Sequence, residues 1–121
     1  MTDWVAPVAT RVMNAKITLP SSKSLSNREL ILSALADSPS TLHGVLDARD
    51  TMLMMEALKS LGVQIEERGR DAAGNLDLVV TPHFLRASYE SPTVINVGLA
   101  GTVMRFLPPV AAFAHGDSYF D

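Results

Sequence analysis

Apolar and polar positions along the chain change period several times, and each change marks an element. From Asn14 to Leu19, Ala15, Ile17 and Leu19 alternate with Lys16 and Thr18, the pattern of a short strand that Pro20 ends. Ser21 to Ser24 form a hydroxyl-rich turn that offers N-caps to a helix from Leu25 to about Ala36. Its Leu30, Ile31, Leu32, Ala34 and Leu35 are apolar nearly all round, which predicts burial on every side. Thr41 to Val45 read as a strand. Asp50 is a good N-cap for a helix from Thr51 to Ser60 that Gly62 stops, with Met54, Leu58 and Leu61 on one face and Glu56 and Lys59 facing water. Val63 to Glu66 and Leu76 to Val80 are strands around a turn from Gly69 to Asn75. Thr93 to Val97 form another strand. Gly98 to Thr102 then open a helix to about Ala114, which Pro108-Pro109 should bend or end early. Ser118-Tyr119-Phe120 look like the start of a further strand, and a chain stopping there reads as truncated. The order βαβαββ, then strand-loop-helix, is an α/β pattern.

Composition narrows the functions that this pattern could serve. The 121 residues are 47% hydrophobic and 19% charged, a globular composition. A net charge of −3 argues against a general nucleic-acid binder, so any anion site has to be local. The absence of cysteine removes thiolate chemistry, and the cytoplasm suits such a chain. Met1-Thr2-Asp3-Trp4 do not open a signal peptide, and the apolar run Phe106 to Ala114 is too short to span a bilayer.

Two strand-to-helix junctions carry candidate chemistry. Both put small residues before a helix, where unpaired N–H groups and the positive end of the dipole favour an anion. At the first, Lys23 supplies a point charge and Ser22, Ser24 and Ser26 supply hydroxyls, while Arg28 adds a planar fork suited to phosphate or carboxylate. A capped helix with two solvated cations fits the same residues. At the second, Gly98, Ala100 and Gly101 allow close approach to the backbone, Thr102 caps the helix and Arg105 adds charge one turn in. A plain glycine-rich turn fits those residues equally well. His43, His83 and His115 lack metal-ligand spacing, and neither a Walker A loop nor a Gly-x-Gly-x-x-Gly run is present. Asp47 and Asp50 read as helix caps, and Met13, Met52, Met54 and Met55 as core filler.

Together the two junctions resemble the signature of 5-enolpyruvylshikimate-3-phosphate (EPSP) synthases. Pro20-Ser21-Ser22-Lys23-Ser24-Leu25-Ser26-Asn27-Arg28 is similar to Pro-Gly-Ser-Lys-Ser-x-Ser-Asn-Arg, and Leu30 to Ala36 continue the match. Arg49-Asp50-Thr51 with Met54, Ala57-Leu58 and Leu61-Gly62 resemble the next helix, and Ala100 to Phe106 resemble the Asn-Ala-Gly-Thr-x-x-Arg loop. The resemblance runs from about Lys16 to Asp121. It implies an α/β (α+β) fold that is part of an inside-out α/β barrel built from βαβαββ units. Residues 16–121 would be an incomplete first domain, and residues 1–15 a segment assigned to the other domain.

The implied reaction moves the enolpyruvyl group of phosphoenolpyruvate to the 5-hydroxyl of shikimate 3-phosphate, on the route to chorismate and the aromatic amino acids. It releases phosphate through a tetrahedral intermediate, with no metal or organic cofactor. By the same resemblance Lys23 contacts both substrates and is the one candidate for catalysis, Ser24 and Arg28 hold shikimate 3-phosphate, and the Gly101 backbone faces phosphoenolpyruvate, with Thr102 and Arg105 beside it. The acid/base carboxylates and further arginines lie in later sequence, so the chain alone is expected to be inactive. The full enzyme is expected as a monomer, and unpaired strand edges in this chain predict self-association. Ser21 stands where the family usually has glycine, and Leu99 and Phe106 replace the commoner Asn and Pro. Two other readings are an enolpyruvyl transferase acting on UDP-N-acetylglucosamine, whose first motif fits less well, and a non-catalytic anion-binding module.

Overall fold

The computed structural model describes residues 3–17, 19–83 and 91–121. Its elements are α1 (Lys23–Ala34), β1 (Ser40–Val45), α2 (Arg49–Ser60), β2 (Gln64–Arg70), β3 (Leu76–Thr81), β4 (Thr93–Ile95), α3 (Gly101–Ala111) and β5 (Ser118–Phe120). The fold is α/β as expected, but the described residues form open sheets and close no barrel.

The central sheet is antiparallel, in the order β1-β3-β2. β3 obeys the period of two: Leu76, Leu78 and Val80 are buried, whereas Asp77, Val79 and Thr81 are half-buried. α1 packs on β3 and β1, α2 on β2 and β4, and α3 on both other helices. The core between them centres on Leu30, Met54, Leu58, Leu61, Leu78, Val103 and Leu107. β4 and β5 pair in parallel, Thr93 beside Ser118 and Ile95 beside Phe120, so the expected strand at Ser118 to Phe120 does form.

Several expectations need correction. The described residues of Asn14 to Leu19 belong to no strand or helix, with Ile17 and Leu19 exposed, and Thr18 lies outside the described residues, as do Met1 and Thr2. A strand needs a partner for its N–H and C=O groups, and no described strand lies beside this stretch. The first helix begins at Lys23 because the Ser22 hydroxyl accepts the Leu25 N–H at 3.3 Å, two residues earlier than the apolar run implies. It is seated on one side only, burying Leu30, Ile31 and Ala34 while Leu32 and Leu35 face outward. Met13 and Met52 are exposed, so only Met54 and Met55 fill the core.

Asp50 does not cap α2. Ala48 holds the N-cap position with no side-chain hydrogen bond, and Asp50 sits inside the first turn. β2 continues through Gly69 to Arg70 by way of a bulge, so the turn shrinks to the residues around Asp71. The Asp71 carboxylate accepts the N–H groups of Ala73 and Asn75 and the Asn75 side-chain amide, which lowers its pKa. α3 starts after Ala100, with Thr102 inside the helix, and carries Pro108 and Pro109 without breaking before Ala111. The carbonyls left without donors belong to Met104 and Arg105, both exposed, so water can satisfy them.

Candidate anion site at three helix N-termini

The sequence marks two helix starts as candidate anion sites; the fold ties them to a third helix start, that of α2. Contacts among the first turns tie them. Asn27 in α1 donates from Nδ2 to Thr102 Oγ1 in α3 at 2.8 Å. Lys23 Nζ in α1 pairs with Asp50 in α2 at 2.8 Å. Arg49 Nη2, also in α2, donates to the Gly98 carbonyl in the loop before α3 at 2.7 Å. Ser26 Oγ accepts the Leu46 N–H at 3.0 Å, fastening α1 to the segment between β1 and α2. Three helices thus direct their unpaired N–H groups and positive dipole ends toward one end of the molecule.

Lys23 and Arg28 are exposed and Ser24 is half-buried, so all three are open to a ligand at the start of α1. Lys23 uses one of three ammonium donors on Asp50. Arg28 lends Nη1 to the Ser24 carbonyl at 3.3 Å and lies over the Phe106 ring, 5.6 Å from its centroid. Gly101 is exposed, with nothing within 4 Å of where a Cβ would stand, so its backbone is open to close approach. Thr102 is occupied by Asn27 instead of capping its helix. Arg105 is exposed, with no hydrogen-bond or ionic partner among the described residues. Asn27 is fully buried, and its Oδ1 has no hydrogen-bond partner among the described residues.

Sequence reasoning missed Arg49 and misassigned Asp47 and Asp50. Asp47 pairs with Arg70 at 2.6 Å, and that bond, ahead of the one from Glu67, raises the Arg70 pKa. One signal was available for Arg49: a cation at the first position of a helix opposes the dipole, so it needs another partner. Gly98 supplies that partner and requires its glycine. Its φ is +47°, and a Cβ there would come within 2.9 Å of Leu53 Cδ1 and 3.0 Å of Arg49 Nη2.

The next residue carries strain. Leu99 has φ of +63° and is 99% exposed, so no packing offsets the left-handed backbone. Asparagine tolerates this region better. Leu99→Asn is therefore expected to raise stability by about 0.5–1 kcal/mol in urea unfolding. A lower midpoint at unchanged slope would contradict the strain.

No group of three or more His, Asp or Glu among the described residues is arranged to hold a metal ion. No helix among them is long and apolar enough to cross a membrane.

Known proteins resemble this chain in sequence and in fold. The family model for EPSP synthase (3-phosphoshikimate 1-carboxyvinyltransferase) matches residues 8–121. The chain is 48% identical over 118 residues to a 3-phosphoshikimate 1-carboxyvinyltransferase of Bifidobacterium longum (strain DJO10A), covering 98% of this chain and 26% of that protein. Two solved structures of EPSP synthase from Acinetobacter baumannii are similar at 25% identity and a TM-score of 0.61, covering 88% of this chain and 24% and 23% of theirs. The chain spans about a quarter of the length of these relatives.

Proposed function

The chain belongs to the EPSP synthase family, and from that premise we propose that it supplies the part of an EPSP synthase active site that gathers two phosphorylated anions. The observation that carries this reading is the 2.8 Å bond between Asn27 and Thr102, which joins the serine-rich and glycine-rich junctions into one site. Phosphoenolpyruvate and shikimate 3-phosphate repel one another, and bringing them together requires fixed positive charge and oriented donors. Lys23 stands between the α1 and α2 starts and serves both substrates. Ser24 and Arg28 hold shikimate 3-phosphate; Gly101, Thr102 and Arg105 line the phosphoenolpyruvate side.

In the proposed reaction the 5-hydroxyl oxygen adds to C2 of phosphoenolpyruvate while C3 gains a proton. The tetrahedral adduct then loses phosphate from C2 and a proton from C3, leaving the enolpyruvyl ether. Lys23 and the helix N-termini stabilise the anionic groups through both steps. The proton transfers need an acid and a base, and the resemblance assigns them to sequence beyond Asp121. No cofactor enters this scheme. Residues 16–121 are the first domain in this reading, and residues 1–15, whose Trp4, Val5, Val8 and Val12 are exposed, belong with the other. The cytoplasm is the proposed location.

Nuclear magnetic resonance titration of the 121-residue chain with shikimate 3-phosphate, then phosphoenolpyruvate, tests the reading. Shifts are expected at Lys23, Ser24 and Arg28 with the first and at Gly101, Thr102 and Arg105 with the second, without phosphate release. Shifts confined to other residues would overturn the site, and phosphate release by this chain would overturn the assignment of the acid and base. Sedimentation of the same samples is expected to show self-association; a monomer at all concentrations would count against that part.

A further inference from the structure

We infer that Phe106 is a positioning residue for Arg28, holding its guanidinium where it can grip an anionic group of the substrate; this rests on the role proposed for Arg28 above. The Arg28 guanidinium carbon lies 5.6 Å from the centroid of the Phe106 ring, within the range of a cation–π contact. The two partners differ in mobility. Phe106 is half-buried and packs against the core from the second turn of α3, so its ring is a fixed platform. Arg28 is exposed on a long side chain, and among the described residues its one hydrogen bond runs from Nη1 to the Ser24 carbonyl at 3.3 Å.

A ring contact uses none of the guanidinium N–H donors, so those not given to the Ser24 carbonyl stay available to an anion. The ring therefore restricts the arginine without competing for its donors. The motif that Ala100 to Phe106 resemble more often has proline in place of Phe106, and proline offers no π face. An aromatic here is a feature of this chain's own sequence, and its gain is pre-organisation: less of the binding energy goes into fixing Arg28. Lys23 and Asp50 are paired with each other at 2.8 Å.

The test is a double-mutant cycle on the full 121-residue chain with shikimate 3-phosphate as titrant. Phe106→Leu removes the π face while keeping an apolar side chain, and is expected to weaken binding about two- to fivefold, the worth of an exposed cation–π contact. Phe106→Tyr should restore affinity to within about twofold. In the Arg28→Ala background, Phe106→Leu should have no further effect, because the ring acts only through the arginine. An independent readout is the Arg28 Nε–Hε resonance, expected to move upfield under the ring and to lose that shift in Phe106→Leu. If Arg28→Ala weakens binding while Phe106→Leu changes neither affinity nor resonance, this inference fails and the site stands. A Phe106→Leu effect that persists in the Arg28→Ala background marks a merely structural role and also overturns it. If Arg28→Ala leaves binding unchanged, or the unsubstituted chain does not bind, the underlying site falls and this inference with it.

Discussion

Lys23→Ala/Arg28→Ala is expected to lose affinity for shikimate 3-phosphate by about two to four orders of magnitude. Each charge-assisted hydrogen bond to an anion contributes about 1.5–3 kcal/mol, and 1.4 kcal/mol is a factor of ten. Each single substitution should therefore cost about ten- to a hundredfold. The two side chains start five residues apart on α1 and share no partner among the described residues, so their losses should nearly add. Lys23 has an added reason to matter. Its partner Asp50 is only 19% exposed, and removing the ammonium leaves that carboxylate facing an incoming phosphate. Lys23→Ala/Asp50→Ala should accordingly bind better than Lys23→Ala alone. Stability should barely change, because half-exposed ion pairs contribute about 0–1 kcal/mol. Calorimetric titration beside thermal melting separates the outcomes. Undiminished affinity in the double variant at an unchanged melting temperature would remove both residues from the site.

The legible parts of this chain were those whose chemistry is local. Ser22, the small residues of Gly98 to Gly101 and the turn around Asp71 each act on backbone within a few residues, so sequence alone finds them. The strands at Leu76 to Val80 and Ser118 to Phe120 were equally readable. Illegible features depend on partners far along the chain. Asn27 meets Thr102 and Arg49 meets Gly98 across 75 and 49 positions, and nothing in either segment announces the other. Asp50 illustrates a competition: its position suits a cap, yet a lysine 27 residues earlier takes its carboxylate while Ala48 begins the helix. Asn14 to Leu19 alternate like a strand, but pairing is a property of two segments, and the pattern of one cannot supply the other. The motif resemblance carried the site further than residue chemistry did, because at each junction taken alone a bland turn or capped helix accounted for the same residues.

The sidedness of α1 gives the other large effect. An all-round apolar helix would lose similar stability at any leucine, whereas the structure makes the two neighbouring positions unequal. Leu30 is 0% exposed where α1 meets α2, α3 and the central sheet, and Leu32 is 68% exposed on the opposite face. Leu30→Ala removes a fully buried side chain of the core cluster and should cost about 2–5 kcal/mol. Leu32→Ala should stay within about 0.5 kcal/mol, since alanine also favours the helix. Urea unfolding of both variants decides between the two pictures, with equal losses counting against one-sided seating. Because Leu30 anchors the helix that presents Lys23, Ser24 and Arg28, its loss should also blur shikimate 3-phosphate binding in the fraction still folded. Leu32→Ala should leave that binding intact. The core under α1 and the proposed anion site at its start would then be one mechanical unit: the apolar face of the helix fixes where its cations point.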